Sequence, residues 1–313
     1  MPAHKSDMVP LAVSRVLVLD FPIGRKTAIP YTQRGDGPKC LVFIHGIFGS
    51  RGDFDAMLTP PSEWTFITLD RPGHGSSPFI DGPEDFEHTV LSDAELIRMF
   101  CEKLNIERSY FFGMSYGGSV VLTLAILFPE LVAGCALQGA QEDGAELIQH
   151  SRGIHLFAKL LLEHRRSFAL KALSFYYRKR CAQVEWSEES LKLFYGLMMN
   201  PHEYVLLRAM PNLTRLCALN IRHTNKAVAA ENLISIIELK LSDGLRNIKA
   251  PCIVIDGEHP HPALQSANRI VTKLSDNVPK EICILPDVGH LASFFAHEEI
   301  RRRVIQFFER HTM

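Results

Sequence analysis

The chain has 313 residues, 46% of them hydrophobic, enough for one large core or two modest ones. Its 34 Lys and Arg against 35 Asp and Glu give no reason to expect nucleic acid or an acidic surface as the main partner. The seven cysteines are odd in number, widely spaced and without a C-x-x-C pair, so they read as small buried hydrophobes of a reducing compartment. With no signal-peptide pattern and no apolar run near the ~20 residues of a membrane span, the sequence predicts a cytoplasmic protein without an integral membrane segment.

Taken in chain order, Arg15–Phe21 and Lys26–Thr32 read as two strands around a Gly24-Arg25 turn, an antiparallel hairpin. Cys40–Ile44 is a continuous β-branched and aromatic run, as in a strand buried on both faces, and it ends in the glycine-rich His45-Gly46-Ile47-Phe48-Gly49-Ser50. Trp64–Leu69 is a second buried strand, followed by Asp70-Arg71-Pro72-Gly73-His74-Gly75-Ser76-Ser77. Asp93–Leu104 has helical spacing, with Leu96, Ile97, Phe100 and Leu104 on one face. A strand near Tyr110, a helix to about Phe128 and a strand at Gly134–Leu137 continue the alternation, which implies a mostly parallel sheet covered on both faces.

From Gln141 to about Leu241 the sequence is helical, broken by Gly153, Pro201 and Pro211 and without a buried strand run. An all-helical insertion inside an α/β chain reads as a lid over the site. Its basic clusters, His164-Arg165-Arg166 and Arg178-Lys179-Arg180, read as solvated helix faces. The α/β pattern resumes at Ile248, with a strand at Ala250–Gly257, a helix at Ser266–Leu274, a strand at Glu281–Leu285 and a closing helix from about Phe294 to Arg310.

The chemistry concentrates at Gly113-Met114-Ser115-Tyr116-Gly117-Gly118. A G-x-S-x-G turn between strand and helix exposes its serine at a sharp bend, and any Cβ at the flanking glycines would crowd that bend. The helix beginning at Tyr116 aims its unpaired N–H groups and positive dipole end at the same place, which suits a developing oxyanion. Ser115 is therefore the candidate nucleophile. Asp256, Glu258, His259 and His261 form a tempting metal-ligating cluster, but they lie in one loop without helical ligand spacing, so neither metal nor cofactor is predicted.

Four stretches in order, HGIFGS at 45–50, DRPGHGSS at 70–77, GMSYGG at 113–118 and PDVGH at 286–290, resemble the α/β-hydrolase family. The resemblance runs from about residue 15 to the C-terminus and is weakest over the helical insert. It implies a mostly parallel central sheet with helices on both faces, its core split into residues 1–140 and 243–313 by a helical cap at 141–242. It also implies backbone oxyanion donors at Ile47 and Tyr116, His290 as general base, and an Arg71 loop bordering the site. The family's acid falls three residues after the glycine ending the penultimate strand, and that position is Pro260 here. Glu258 is the preferred substitute, one residue past Gly257. Asp256 is closer to the strand and shorter, Glu142 and Asp143 follow the strand after the elbow helix, and a Ser115–His290 dyad without an acid stays open.

The activity implied is serine hydrolysis of an ester or similar acyl compound, a small and partly apolar molecule, without a cofactor. Two other readings stay open: a hydrolase-like protein that binds a ligand or partner without turning it over, and acyl transfer or carbon–carbon bond hydrolysis on the same residues.

Overall fold

The computed structural model describes residues 13–20, 26–78, 87–144, 166–183, 191, 201–259 and 264–311. Pro260, His261, Phe194, the His164-Arg165 pair and the Gly24-Arg25 turn lie outside the described residues.

Eight strands form one sheet: β1 Val13–Asp20, β2 Lys26–Arg34, β3 Lys39–Ile44, β4 Trp64–Leu69, β5 Ser109–Met114, β6 Val132–Gln138, β7 Cys252–Gly257 and β8 Lys280–Leu285. Their spatial order is β1-β2-β4-β3-β5-β6-β7-β8. β1–β2 and β2–β4 pair antiparallel, and every pair from β4 to β8 is parallel. Parallel strands need crossovers, and here helices provide them on both faces.

The period-2 alternation of side chains assigns each strand residue to one of two cores. Leu41, Phe43, Phe112, Met114, Ile253 and Ile255 face a cluster shared with the 3-10 helix Arg51–Met57 and the C-terminal helix. Val42, Ile44, Phe111, Cys252 and Val254 face the opposite cluster, shared with the helices before and after β5. Burial on both faces explains why β3, β4, β5 and β7 read as unbroken apolar runs.

The helices are α1 Val90–Lys103, α2 Tyr116–Leu127, α3 Arg166–Ala182, α4 Pro201–Arg208, α5 Pro211–His223, α6 Lys226–Ile237, α7 Leu264–Lys273, α8 Ala292–Phe295 and α9 His297–His311. The single closing helix expected from about Phe294 is two, because Ala296 leaves helical geometry at φ −121°, ψ 30°. The segment between β6 and β7 contributes helices α3 to α6 among its described residues, and it leaves and rejoins the core at one neck. There Gly144 N donates to Leu239 O, Leu241 N donates to Glu142 O, and Asp143 bridges Lys240. Of the basic cluster on α3, Arg178 and Lys179 are exposed and Arg180 is half-buried. Among the described residues no helix is long and apolar enough to cross a membrane. All seven cysteines are thiols, six buried and Cys40 half-buried, and burial pushes the Cys40 thiol up to about 11.

The register brings the strand ends to one edge of the sheet: Ile44 pairs with Gly113, Met114 with Gln138, and Gly257 with Leu285. The residues just beyond are His45, Ser115, Gly139, Glu258 and Pro286. The carboxyl edge of an open parallel sheet is where such folds place their ligands.

Candidate active site

Ser115 sits at φ 55°, ψ −120°, in a region that costs a non-glycine residue about 1–3 kcal/mol. The bend survives because its neighbours lack side chains. A Cβ on Gly113 would run into the Gly117 carbonyl, and one on Gly117 into the Ile44 carbonyl. The Ser115 N–H donates to Gln138 O at 2.6 Å, pinning the turn to the end of β6.

His290 Nε2 lies 3.0 Å from Ser115 Oγ, hydrogen-bond distance for a base and its nucleophile. The imidazole is buried while Ser115 stays half-exposed. A Cβ on Gly139 would stand 2.5 Å from His290 Cε1 and 2.7 Å from Nδ1, and Gly139 itself has φ 63°. Glycine is thus required there for its backbone and for the room it leaves the ring. Gly139→Ala is expected to push the imidazole off Ser115, lowering kcat by about 10²-fold for a misplacement near 1 Å, while KM moves little. Kinetics on an activated ester check this, and an unchanged kcat would show that the ring tolerates the methyl.

Gln138 was invisible as a functional residue in the sequence. It ends β6, its carbonyl accepts from Ser115 N, its Nε2 donates to His290 O at 2.6 Å, and its Oε1 accepts from Ser293 Oγ at 2.7 Å. One buried residue, through its backbone carbonyl and its side-chain amide, therefore holds the Ser115 and His290 backbones in mutual register. The only sequence cue is a polar residue closing the apolar run GCALQ.

The predicted oxyanion donors are organised by a second buried network. Gly46 packs against Ser115, a Cβ there falling 3.1 Å from Ser115 Cβ. Gly46 O accepts from His45 Nδ1 at 2.9 Å and from Arg71 Nη2 at 3.0 Å. His45 Nε2 accepts from Arg71 N at 3.1 Å, so the proton is on Nδ1. Burial first, and the Arg71 charge second, hold His45 well below the ordinary histidine range, which keeps it neutral and fixes that tautomer. Because a peptide is planar and trans, anchoring the Gly46 carbonyl fixes the Ile47 N–H on the opposite side. Tyr116, the first residue of α2, has no intrahelical acceptor for its N–H.

Arg71 is more than a border. It is 1% exposed, its Nη1 donates to Asp93 Oδ2 at 2.6 Å and to Asn232 Oδ1 at 3.2 Å, and its guanidinium lies 4.4 Å from the Tyr116 ring centroid. Tyr116 Oη donates to Asp93 Oδ2 at 2.9 Å, and burial with the Asp93 charge pushes its phenol well above the ordinary range. One cation thus ties together both residues whose amides are candidates for the hole. Asn232 comes from α6, so the last helix of the insert is bonded into the core.

The acid candidates are placed differently. Glu142 is fully buried and occupied by Ser266 Oγ and by the Arg269 guanidinium. Asp143 sits in the neck opposite Lys240. Asp256 is fully buried at the end of β7, with Oδ1 accepting from Gly257 N at 3.1 Å. Glu258, preferred from sequence, turns its Oε1 to the Asp287 N–H at 2.9 Å, in an exposed contact, and not to the imidazole. The reason is local. Glu258 N is bonded to Leu285 O and His259 N to Val288 O, so the chain folds back along the β8 turn and points Glu258 at its start. Asp287 itself sits in the left-handed region at φ 60°. Among the described residues no group of three or more His, Cys, Asp or Glu side chains is placed to hold a metal ion.

The family model of the alpha/beta hydrolase fold matches residues 39–296, and the chain belongs to that family. It is 33% identical over 111 residues, 35% of this chain and 28% of the relative, to the dihydrolipoyllysine-residue acetyltransferase component of the acetoin cleaving system of Cupriavidus necator. It is 29% identical over 178 residues, 51% of this chain and 52% of the relative, to a probable proline iminopeptidase of Leptolyngbya boryana. The matches thus span about a quarter to a half of the length of these curated relatives. Among solved structures, the enol-lactonase of Burkholderia xenovorans superposes with a TM-score of 0.68 at 16% identity, covering 94% of this chain and 100% of its own. The alpha/beta hydrolase enzyme MGS-M2, from a Medee basin deep-sea metagenome library, gives 0.71 at 17% identity, covering 94% and 97%. At such identities the likeness is one of fold.

Proposed function

We propose that the protein is a serine hydrolase of an ester or similar acyl compound. The observation that carries this is Ser115 Oγ at 3.0 Å from His290 Nε2, on a positive-φ elbow beside the Gly46–Ile47 peptide. Ser115 Oγ bonds to the substrate carbonyl carbon as its proton passes to His290 Nε2. The carbonyl oxygen takes the electron pair and receives the N–H groups of Ile47 and Tyr116. Collapse of this intermediate breaks the bond to the alcohol oxygen, which leaves with the proton from His290. Water then attacks the acyl-enzyme through the same base, freeing the acid and restoring Ser115 Oγ–H. Glu258 serves His290 indirectly, by bracing the Asp287 turn.

The helices between residues 141 and 242 act as the cap that sizes the acyl group. Support comes from Tyr177 of α3, whose ring meets Phe48 edge-on at 5.1 Å, one residue past the oxyanion donor Ile47. Tyr177→Ala is expected to change kcat/KM for long-chain esters more than for acetate, read on p-nitrophenyl esters of increasing chain length. An equal change at all lengths would show that the cap does not select. Product analysis with an added alcohol tests the acyl-transfer reading: free acid alone supports hydrolysis, and a new ester supports transfer.

A further inference from the structure

The sequence has Pro260 where the family's acid falls, and Glu258 gives its exposed carboxylate to the start of the turn. A different carboxylate sits at the turn's other end. Glu203 of α4 is fully buried, and its Oε1 accepts the Gly289 N–H at 3.0 Å, one peptide away from His290. The contact is built. Tyr204 and Leu207 of the same helix are buried in one apolar cluster with Val288 and Leu291, which flank Gly289-His290.

We infer that Glu203, a residue of the helical insert, is a positioning carboxylate of His290, reaching the turn that carries it from the cap side. The inference rests on the hydrolase reading above for its catalytic meaning. A base that takes the Ser115 proton becomes an imidazolium, and a nearby negative charge stabilises it. Two carboxylates hold amides of the same turn, and burial decides between them. Glu258 is screened by water and ions, whereas Glu203, shut away from solvent, acts on its surroundings with little screening. The same bond fixes the Gly289–His290 backbone, so seating the cap would complete the base.

Among the described residues, the charged and titratable groups placed around the turn are Glu203 and Tyr204 from α4, Asp256 from β7, Glu258 and His259 from the loop after β7, and Asp287 in the turn itself. The test is an NMR titration of His290 in chains carrying ¹³Cε1-labelled histidine, its signal assigned by loss in His290→Asn. Glu203→Gln keeps an oxygen for the Gly289 N–H and removes only the charge. Losing the charge destabilises the protonated ring, so the His290 pKa is expected to fall by about one unit, with smaller falls in Glu258→Gln and Asp256→Asn. The acidic limb of kcat/KM should move to lower pH with it. Glu203→Asp, which retains the charge farther from the turn, should give a smaller fall and serves if the Gln variant does not fold. An unchanged His290 pKa in folded Glu203→Gln or Glu203→Asp overturns the inference, as does a larger fall in Glu258→Gln or Asp256→Asn. The titration reads Glu203 whether or not Ser115 turns over a substrate, so failure of serine labelling would overturn the hydrolase reading alone.

Discussion

Ser115→Ala is expected to lower turnover of a short-chain ester by about 10⁶-fold, the scale on which removal of a triad nucleophile acts. The fold should be indifferent to it. Alanine keeps the Cβ, tolerates φ 55° about as poorly as serine, and leaves the 2.6 Å bond from the residue 115 amide to Gln138 O in place. Urea unfolding should therefore give a midpoint close to wild type while kcat collapses to what the oxyanion donors alone sustain. A variant that retains even a tenth of wild-type turnover would place the nucleophile elsewhere.

Arg71→Met is expected to act twice. Removing one partner of the buried ion pair leaves Asp93 desolvated and short of a cation, which costs about 3–5 kcal/mol of stability. It also leaves His45 Nδ1 as the one remaining donor to the Gly46 carbonyl, so the Ile47 N–H is held less firmly, and kcat is expected to fall toward the factor of about 10²–10³ that loss of one oxyanion donor costs. The double variant Arg71→Met, Asp93→Leu separates the effects, because replacing both charges by apolar groups restores much of the stability but none of the anchoring. If the double variant recovers kcat together with stability, the network supports only the fold.

Much of this site could be read from the chain because its parts are local. The elbow depends on Gly113 and Gly117 within a few residues of Ser115, and His290 follows directly from a strand and a glycine. The buried strands announced themselves as apolar runs, since a parallel sheet covered on both faces has no polar side to show. What escaped is non-local. Gln138 meets His290 across 152 positions, Arg71 meets Asn232 across 161, and Glu203 meets Gly289 across 86, and no periodicity encodes such distances. The 3-10 helix at Arg51–Met57 was missed despite a local signal, the Ser50–Asp53 capping box, because its glycine and aspartates resemble a loop. Glu258 illustrates the opposite case. Its sequence position invited a role at the imidazole, but the backbone bonds of Glu258 and His259 to Leu285 and Val288 turn the side chain toward Asp287.

The central claim is that His290 activates Ser115, and reaction with a fluorophosphonate reads that activation without requiring the natural substrate. Wild-type protein should acquire one covalent adduct, located by mass spectrometry on the peptide containing Ser115. The adduct should be absent in Ser115→Ala and form far more slowly in His290→Ala. A wild-type chain that stays unlabelled, or an adduct that forms equally fast in the Ser115→Ala variant, would contradict the account.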